Sequence, residues 1–85
     1  MAFDDRLLWH LKLVITSKLR RQENFTFSWQ DPGEGGLICL WLHPQCDLVF
    51  QFESPDHPDV NKAWLEALMH SANTTGGLHV IPEPR

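Results

Sequence analysis

Cys39, His43 and Cys46 are the side chains whose types and spacing come nearest to a metal site. Thiolates and imidazoles are common zinc ligands, and His57 would be a candidate fourth ligand. However, the Cys-x3-His-x2-Cys spacing lacks the tight Cys-x2-Cys pair of zinc knuckles, and Cys39 lies inside an apolar stretch. The alternative is a small buried thiol at Cys39 and a turn residue at Cys46. We therefore predict no cofactor and keep metal binding as a third hypothesis.

Nucleophilic catalysis would need a thiol beside a base, and Cys46 has His43 and His57 nearby in sequence. No local signature of a cysteine enzyme accompanies them. The glycine-rich residues 32–36 lack the Lys-Ser/Thr of a phosphate-binding loop and precede an apolar run rather than a helix. The sequence thus favours a non-catalytic protein.

A basic cluster of Lys18, Arg20 and Arg21 ends the first predicted helix. One interpretation is a candidate phosphate contact. The other is that these cations complement the negative end of the helix dipole and are otherwise solvated.

Length and composition limit the alternatives. The 85 residues predict one domain over 1–85, with 82–85 as a tail. A net charge of −4 disfavours a dedicated nucleic-acid binder. No apolar run is long enough to span a membrane, and charges at residues 4–6 disfavour a signal peptide. Two cysteines do not make a disulfide framework, so we expect a cytoplasmic protein with free thiols.

Hydrophobic periodicity predicts the elements that must position these side chains. Helical spacing favours a helix over 4–21 with Asp4 as its N-cap, and a second helix whose first turn contains Pro58. Alternating or continuous apolar runs predict strands over 25–30, 37–42, 48–53 and 78–81. The order α-β-β-β-α-β indicates an α+β two-layer sandwich, with two helices on one face of a mostly antiparallel sheet.

Strand register then assigns the faces. If residues 31–36 form the first hairpin loop, Gln30 opposes Leu37, and if 43–47 form the second, Leu42 opposes Leu48. Both hairpins place the same residues beneath the helices: Phe25, Phe27, Trp29, Ile38, Leu40, Leu42, Leu48, Phe50 and Phe52. The opposite face carries an apolar centre of Leu37, Cys39, Trp41 and Val49. A contiguous patch containing Trp is typical of an interface, and we expect a homodimer by sheet-face packing or another protein partner.

Several ordered blocks cover nearly the whole chain and resemble a family of small uncharacterised bacterial proteins. These blocks are residues 3–7, 17–21, 41–44, 63–68, 71–73 and 76–78. Proteins like these are often labelled "ATP-dependent DNA ligase". A ligase needs an adenylated lysine in a Lys-x-Asp-Gly setting, which Lys12, Lys18 and Lys62 all lack. The chain is also too short for a nucleotidyltransferase domain.

The sequence therefore supports three hypotheses. The leading one is a non-catalytic interaction module that self-associates through the second sheet face. The second is a DNA-associated accessory protein that uses Lys12, Lys18, Arg20 and Arg21, in keeping with the ligase-like label. The third is the small metal-binding protein built on Cys39, His43 and Cys46. No membrane partner is expected.

Overall fold

The computed structural model of the chain describes residues 3–31, 33–56 and 58–84. In chain order the elements are helix α1 (Asp5–Arg20), strands β1 (Phe25–Gln30) and β2 (Leu37–Leu42), helix α2 (Lys62–Ala72) and strand β3 (Leu78–His79). The predicted α+β class is confirmed. The sheet has the order β2-β1-β3, so β1 is central and β2 lies at an edge.

The first hairpin has the predicted register. Phe25 opposes Leu42, Phe27 opposes Leu40, and Gln30 opposes Leu37. The loop closes through the Asp31 N–H, which donates to the Gly36 carbonyl at 2.7 Å. The alternation of aromatic and polar residues in β1 therefore gave the correct faces.

The predicted third strand over 48–53 does not form. The Asp5 carboxylate instead accepts hydrogen bonds from the backbone N–H groups of Glu53 and Ser54, each at 3.0 Å. Phe52 also packs edge-on against Trp9 of α1, with ring centroids 5.9 Å apart. These contacts hold the segment against α1, so it does not pair with β2 and the second predicted register is wrong.

The sheet is mixed: its longer pairing, between β1 and β2, is antiparallel as predicted, and its shorter pairing is parallel. β3 pairs with β1 in parallel, with Phe27 beside Leu78 and Ser28 beside His79. Gly77 leads into this strand with φ +82°, and a Cβ there would overlap the Thr26 carbonyl oxygen. The close approach of the two backbones therefore requires glycine.

Both helices contribute to one core on the Phe25 and Phe27 face of the sheet. α1 buries an apolar stripe and α2 buries Trp64 and Leu68, while β3 adds the fully buried Leu78. The core residues are Leu11, Val14, Ile15, Phe25, Phe27, Leu42, Trp64, Leu68, Ala72 and Leu78. The arrangement is a helix layer on a three-stranded sheet.

Helix α2 begins later than predicted. Its N-cap is Asn61, whose side-chain oxygen accepts a hydrogen bond from the Trp64 N–H at 3.2 Å. The Pro58 signal was misleading, because Pro58 precedes the helix by several residues. Asn at the N-cap satisfies a backbone donor that the first turn leaves free, and this fixes the start of the helix.

Of the predicted tail the structure describes residues 82–84, and two of these, Glu83 and Pro84, contact the rest of the protein. Glu83 pairs with Arg6, and the Pro84 carbonyl accepts a hydrogen bond from the Asn61 side chain at 3.1 Å. The segment after β3 therefore packs across the starts of both helices.

Candidate interaction surface

The outer face of β2 presents Leu37, Cys39 and Trp41 away from the helices. These three residues oppose Gln30, Ser28 and Thr26 of β1, which share that face. Leu37 is 68% exposed and Trp41 is 61% exposed, while Cys39 lies exposed between them. We call this set the outer-face triplet.

Ser28 is the buried polar member of the same face. It is only 3% exposed, and its hydroxyl donates to the Cys39 sulfur at 3.3 Å. This bond orients the thiol across the pair of strands. The thiol is thus available on the surface but engaged in a local polar contact.

Val49 does not lie with the triplet, contrary to the sequence prediction. It is 89% exposed and borders a groove on the helix side of β2, together with Leu40 and Leu48. The reason is that residues 48–53 do not form a strand. Alternation of apolar and polar residues assigns side chains to the two faces of a sheet only when the segment is part of that sheet. Leu40, predicted as core, is 45% exposed for the same reason.

The groove lies between α1, the inner face of the hairpin and residues 48–53, and has a volume of about 500 Å³. Its walls are mainly apolar, with Leu8, Leu11 and Ile15 from α1 and Phe50 and Phe52 from the segment opposite. Trp29 also borders it, and the buried indole N–H of Trp29 has no hydrogen-bond partner within the described residues. The groove marks incomplete packing under β2.

Cys39, His43 and Cys46 are not assembled into a ligand set. Within the part of the chain that the structure describes, no group of three or more His, Cys, Asp or Glu residues is placed to hold a metal ion. The ring Nδ1 of His43 instead accepts a hydrogen bond from the Gln45 N–H at 3.2 Å, as in a local turn. His57 lies outside the described residues.

The three residues of the basic cluster differ in burial. Lys18 is 4% exposed, and its amine donates to the Asn73 side-chain oxygen at 2.7 Å and lies 5.7 Å from the Phe25 ring centroid. Arg21 is exposed and pairs with Glu23 at 3.0 Å, and Arg20 is exposed. Lys18 is thus a structural cation that joins α1 to the end of α2, leaving the two arginines on the surface.

The model of one protein family matches residues 1–83, and that family is described as a domain of unknown function, DUF7882. The chain belongs to this family. No curated protein and no solved structure matches it. Among the described residues of this DUF7882 domain, no helix is long and apolar enough to cross a membrane.

His10 is the polar residue of the DUF7882 domain that sequence reasoning missed. It is fully buried, and its Nδ1 lies 2.7 Å from the Arg6 carbonyl oxygen while its Nε2 lies 2.9 Å from the Asn61 backbone nitrogen. A carbonyl only accepts and a backbone N–H only donates, so Nδ1 carries the proton and the ring is neutral. Because both nitrogens are engaged by backbone, His10 has no free atom for acid–base chemistry.

Trp64 and Asn61 complete the surroundings of His10 in the DUF7882 domain. The Trp64 ring stacks on the imidazole at a centroid distance of 4.6 Å, and its indole N–H donates to the Ile81 carbonyl at 2.7 Å. A signal was present in the sequence, since Asn three residues before Trp64 is a good N-cap pattern. The partner at position 10, 51 residues away, could not be read from spacing.

Arg6 and Glu83 form an ion pair at the edge of this network. The Arg6 Nε donates to one Glu83 oxygen at 2.8 Å, and an Asn61 side-chain N–H donates to the other at 2.9 Å. These hydrogen bonds, from Arg6 first and Asn61 second, lower the pKa of Glu83 from 4.5 to about 2. The pair is exposed, so its contribution to stability is screened by solvent.

Proposed function

We propose that this protein is a non-catalytic interaction module that self-associates through the outer face of the sheet at β2. One observation carries the proposal: the outer-face triplet places two large exposed apolar side chains on one strand that contains no charged residue. Exposed apolar patches that include Trp are typical of interfaces, because Trp contributes a large rigid contact area.

The arrangement of polar groups favours binding over catalysis. Among the described residues, His10 and Lys18 are the most deeply buried ionisable side chains, and both have hydrogen-bond partners within the fold. The exposed Cys39 accepts a hydrogen bond from Ser28. A nucleophile needs a base within hydrogen-bond reach, and a hydroxyl does not supply one. The free thiols are in keeping with a cytoplasmic location, which we include in the proposal.

Sedimentation across a range of concentrations tests self-association. We expect a dimer of wild-type protein that Trp41→Glu converts to a monomer, because the charge would have to be desolvated in the interface. Val60→Glu is the matched control, since Val60 is also exposed, at 47%, but lies in the segment before α2. A wild-type monomer at every concentration would contradict the proposal, as would equal loss of dimer in both variants.

A second candidate function is association with DNA, in line with the ligase-like label. A shallow depression on α1 is lined by Lys12, Arg20 and Arg21 together with the hydroxyl side chains of Thr16 and Ser17. Cations and hydroxyls are the usual contacts to phosphate oxygens. The net charge of −4 works against this function.

Titration of duplex DNA at several salt concentrations tests that candidate. Binding through these cations should weaken steeply with salt and fall further in Arg20→Ala/Arg21→Ala. Lys62→Ala, which removes a cation on the other helix, should leave binding unchanged. Absence of binding at low salt would exclude the candidate.

A further inference from the structure

The direction of the backbone groups of β2 can be deduced from the hairpin. In an antiparallel ladder, opposed pairs alternate between hydrogen-bonded and non-hydrogen-bonded. Asp31 and Gly36 are bonded, and they are the pair next to Gln30 and Leu37. The pairs that involve Leu37, Cys39 and Trp41 are therefore the non-bonded ones.

It follows that the N–H and C=O groups of the outer-face triplet point away from β1, toward the open edge of the sheet. The pairing of β3 with the other side of β1 agrees with this alternation. The His79 N–H donates to the Ser71 hydroxyl at 2.9 Å, so it is Leu78 that directs its backbone groups toward β1. In the part of the chain that the structure describes, β2 is hydrogen-bonded to no strand except β1.

Natural edge strands are usually protected by Lys, by Pro, by a bulge or by a covering segment. Residues 37–42 contain no charge and no Pro, and their ladder with β1 runs without a bulge. Apolar side chains are exposed on both faces of the edge, with Leu37 and Trp41 on one face and Leu40 on the other. A strand of this kind is a template for pairing with another strand.

We propose that the open edge of β2 pairs with β2 of a second copy of this chain, antiparallel about a two-fold axis at Cys39. This inference rests on the proposed self-association but places the contact at the strand edge, where the outer-face triplets of the two copies lie side by side instead of face to face. With Cys39 opposite Cys39 of the partner subunit, Leu37 of each copy opposes Trp41 of the other. All three outward-directed residues then lie in bonded pairs, and each opposed pair exchanges two hydrogen bonds.

Registers displaced by two residues keep the faces but leave one residue of the triplet in each copy without a partner. Registers displaced by one residue would place outer-face side chains against inner-face ones. The register centred on Cys39 therefore provides hydrogen-bond partners for the largest number of backbone groups. Because pairing of two identical strands about a two-fold axis is self-complementary and closed, this register favours a second copy of the chain as the partner.

Charge also favours this occupant. Each chain has a net charge of −4, so two copies repel each other over most approaches. The uncharged strand β2 is a place where they can meet without opposed carboxylates. A basic peptide would gain little from an edge that has no acidic side chain.

The buried area sets the strength of the dimer. A covered Trp buries about 150–250 Å², so even complete cover of Trp41, which is 61% exposed, would supply only on the order of 100 Å² per partner. A six-residue edge therefore falls below the ~800 Å² per partner of a standard interface. We expect a reversible dimer whose population depends on concentration.

Amide hydrogen exchange of the full chain, measured by NMR at low and high protein concentration, tests this geometry. The N–H groups of Leu37, Cys39 and Trp41 should exchange about tenfold more slowly when about 90% of the chains are paired. Those of Ile38, Leu40 and Leu42 are the internal controls, because β1 already binds them at both concentrations.

The outcomes separate this inference from the proposed function. A dimer by sedimentation with no slowing at the triplet would overturn edge pairing and leave self-association through the sheet face standing. A monomer at all concentrations would overturn both. Slow exchange at the triplet that is independent of concentration would also overturn edge pairing, because residues 48–53 of the same chain would then cover the edge.

A backbone variant gives a second measurement. Cys39→Pro removes one outward N–H without touching the ladder to β1, and proline is tolerated on an edge strand when its nitrogen faces solvent. We expect a folded monomer by circular dichroism and sedimentation, whereas Cys39→Ser should remain a dimer. A dimeric Cys39→Pro variant would contradict the pairing.

Discussion

Two halves of this molecule differ in how completely they are closed. The closed half consists of β1, β3, α2, residues 81–84 and the side of α1 that carries the buried His10. The open half consists of β2 and residues 48–53, with exposed Leu40, Trp41 and Val49 and the groove beneath them. The comparison indicates that stability resides in the closed half, while the open half has surface left for a partner.

Replacing the buried indole should have the largest effect. Trp64→Ala removes a side chain that is 4% exposed together with its hydrogen bond to Ile81, and we expect a loss of about 3–5 kcal/mol in unfolding free energy. Trp41→Ala, in the open half, should change it by no more than about 0.5 kcal/mol. Urea denaturation of both variants at a concentration where the protein is monomeric measures the difference, and equal losses would contradict the division.

The hydrogen bonds of His10 are the next test of the closed half. His10→Phe keeps a ring against Trp64 but leaves the Asn61 N–H without its partner, and it removes the side-chain hydrogen bond to the Arg6 carbonyl, which keeps its intrahelical one. A donor left without a partner costs about 1–3 kcal/mol and a lost hydrogen bond about 0.5–1.5 kcal/mol, so we expect a total loss of about 2–4 kcal/mol. His70→Phe is the control, since His70 is an exposed residue of α2. A His10→Phe variant as stable as the control would show that the network contributes little.

Substitutions at two glycines with positive φ allow the backbones of the closed and open halves to be compared. Gly77→Ala would place a Cβ against the Thr26 carbonyl and should destabilise the fold by about 2–3 kcal/mol. Gly35→Ala, in the hairpin loop at φ +77°, has no atom within 4 Å of the new Cβ and should cost only the conformational penalty of about 1 kcal/mol. Thermal unfolding separates them, and equal shifts would show that β3 can move away from β1.

The smallest effect concerns pH. Because the folded state lowers the pKa of Glu83 from 4.5 to about 2, the contribution of its ionised form is present above about pH 4.5 and is lost as the pH falls toward 2. Wild type should thus exceed Glu83→Gln in urea midpoint at neutral pH, and the gap should close at low pH. Glu66→Gln, an exposed α2 variant, should show no such trend. A gap that widens on acidification would contradict the assignment.

Sequence patterns predicted the first hairpin because its residues are close along the chain. The aromatic alternation of β1 and the turn chemistry of residues 31–36 together fixed the pairing of Phe25 with Leu42. The same alternation in residues 48–53 was misleading. Its Phe residues do pack inward, but the partner of the backbone is the Asp5 carboxylate, 48 residues earlier in the chain.

The candidate surface was predicted in part for the same reason. Leu37, Cys39 and Trp41 follow from the period of one strand, whereas the position of Val49 depended on a second pairing that did not form. Lys18 was expected at the surface by its charge, but Asn73 and Glu23 provide partners for it inside. Such long-range partners are set by tertiary packing, which local spacing does not encode.

The ion pair between Arg6 and Glu83 joins residues 77 positions apart, so this contact cannot form during synthesis until residue 83 has left the ribosome. The hairpin of β1 and β2 requires only local contacts and can form as soon as residue 42 has left the ribosome. β1 acquires its second neighbour only when Leu78 and His79 follow. The nascent chain therefore exposes two free strand edges, and a chaperone that binds extended apolar segments would have both available until the closed half assembles.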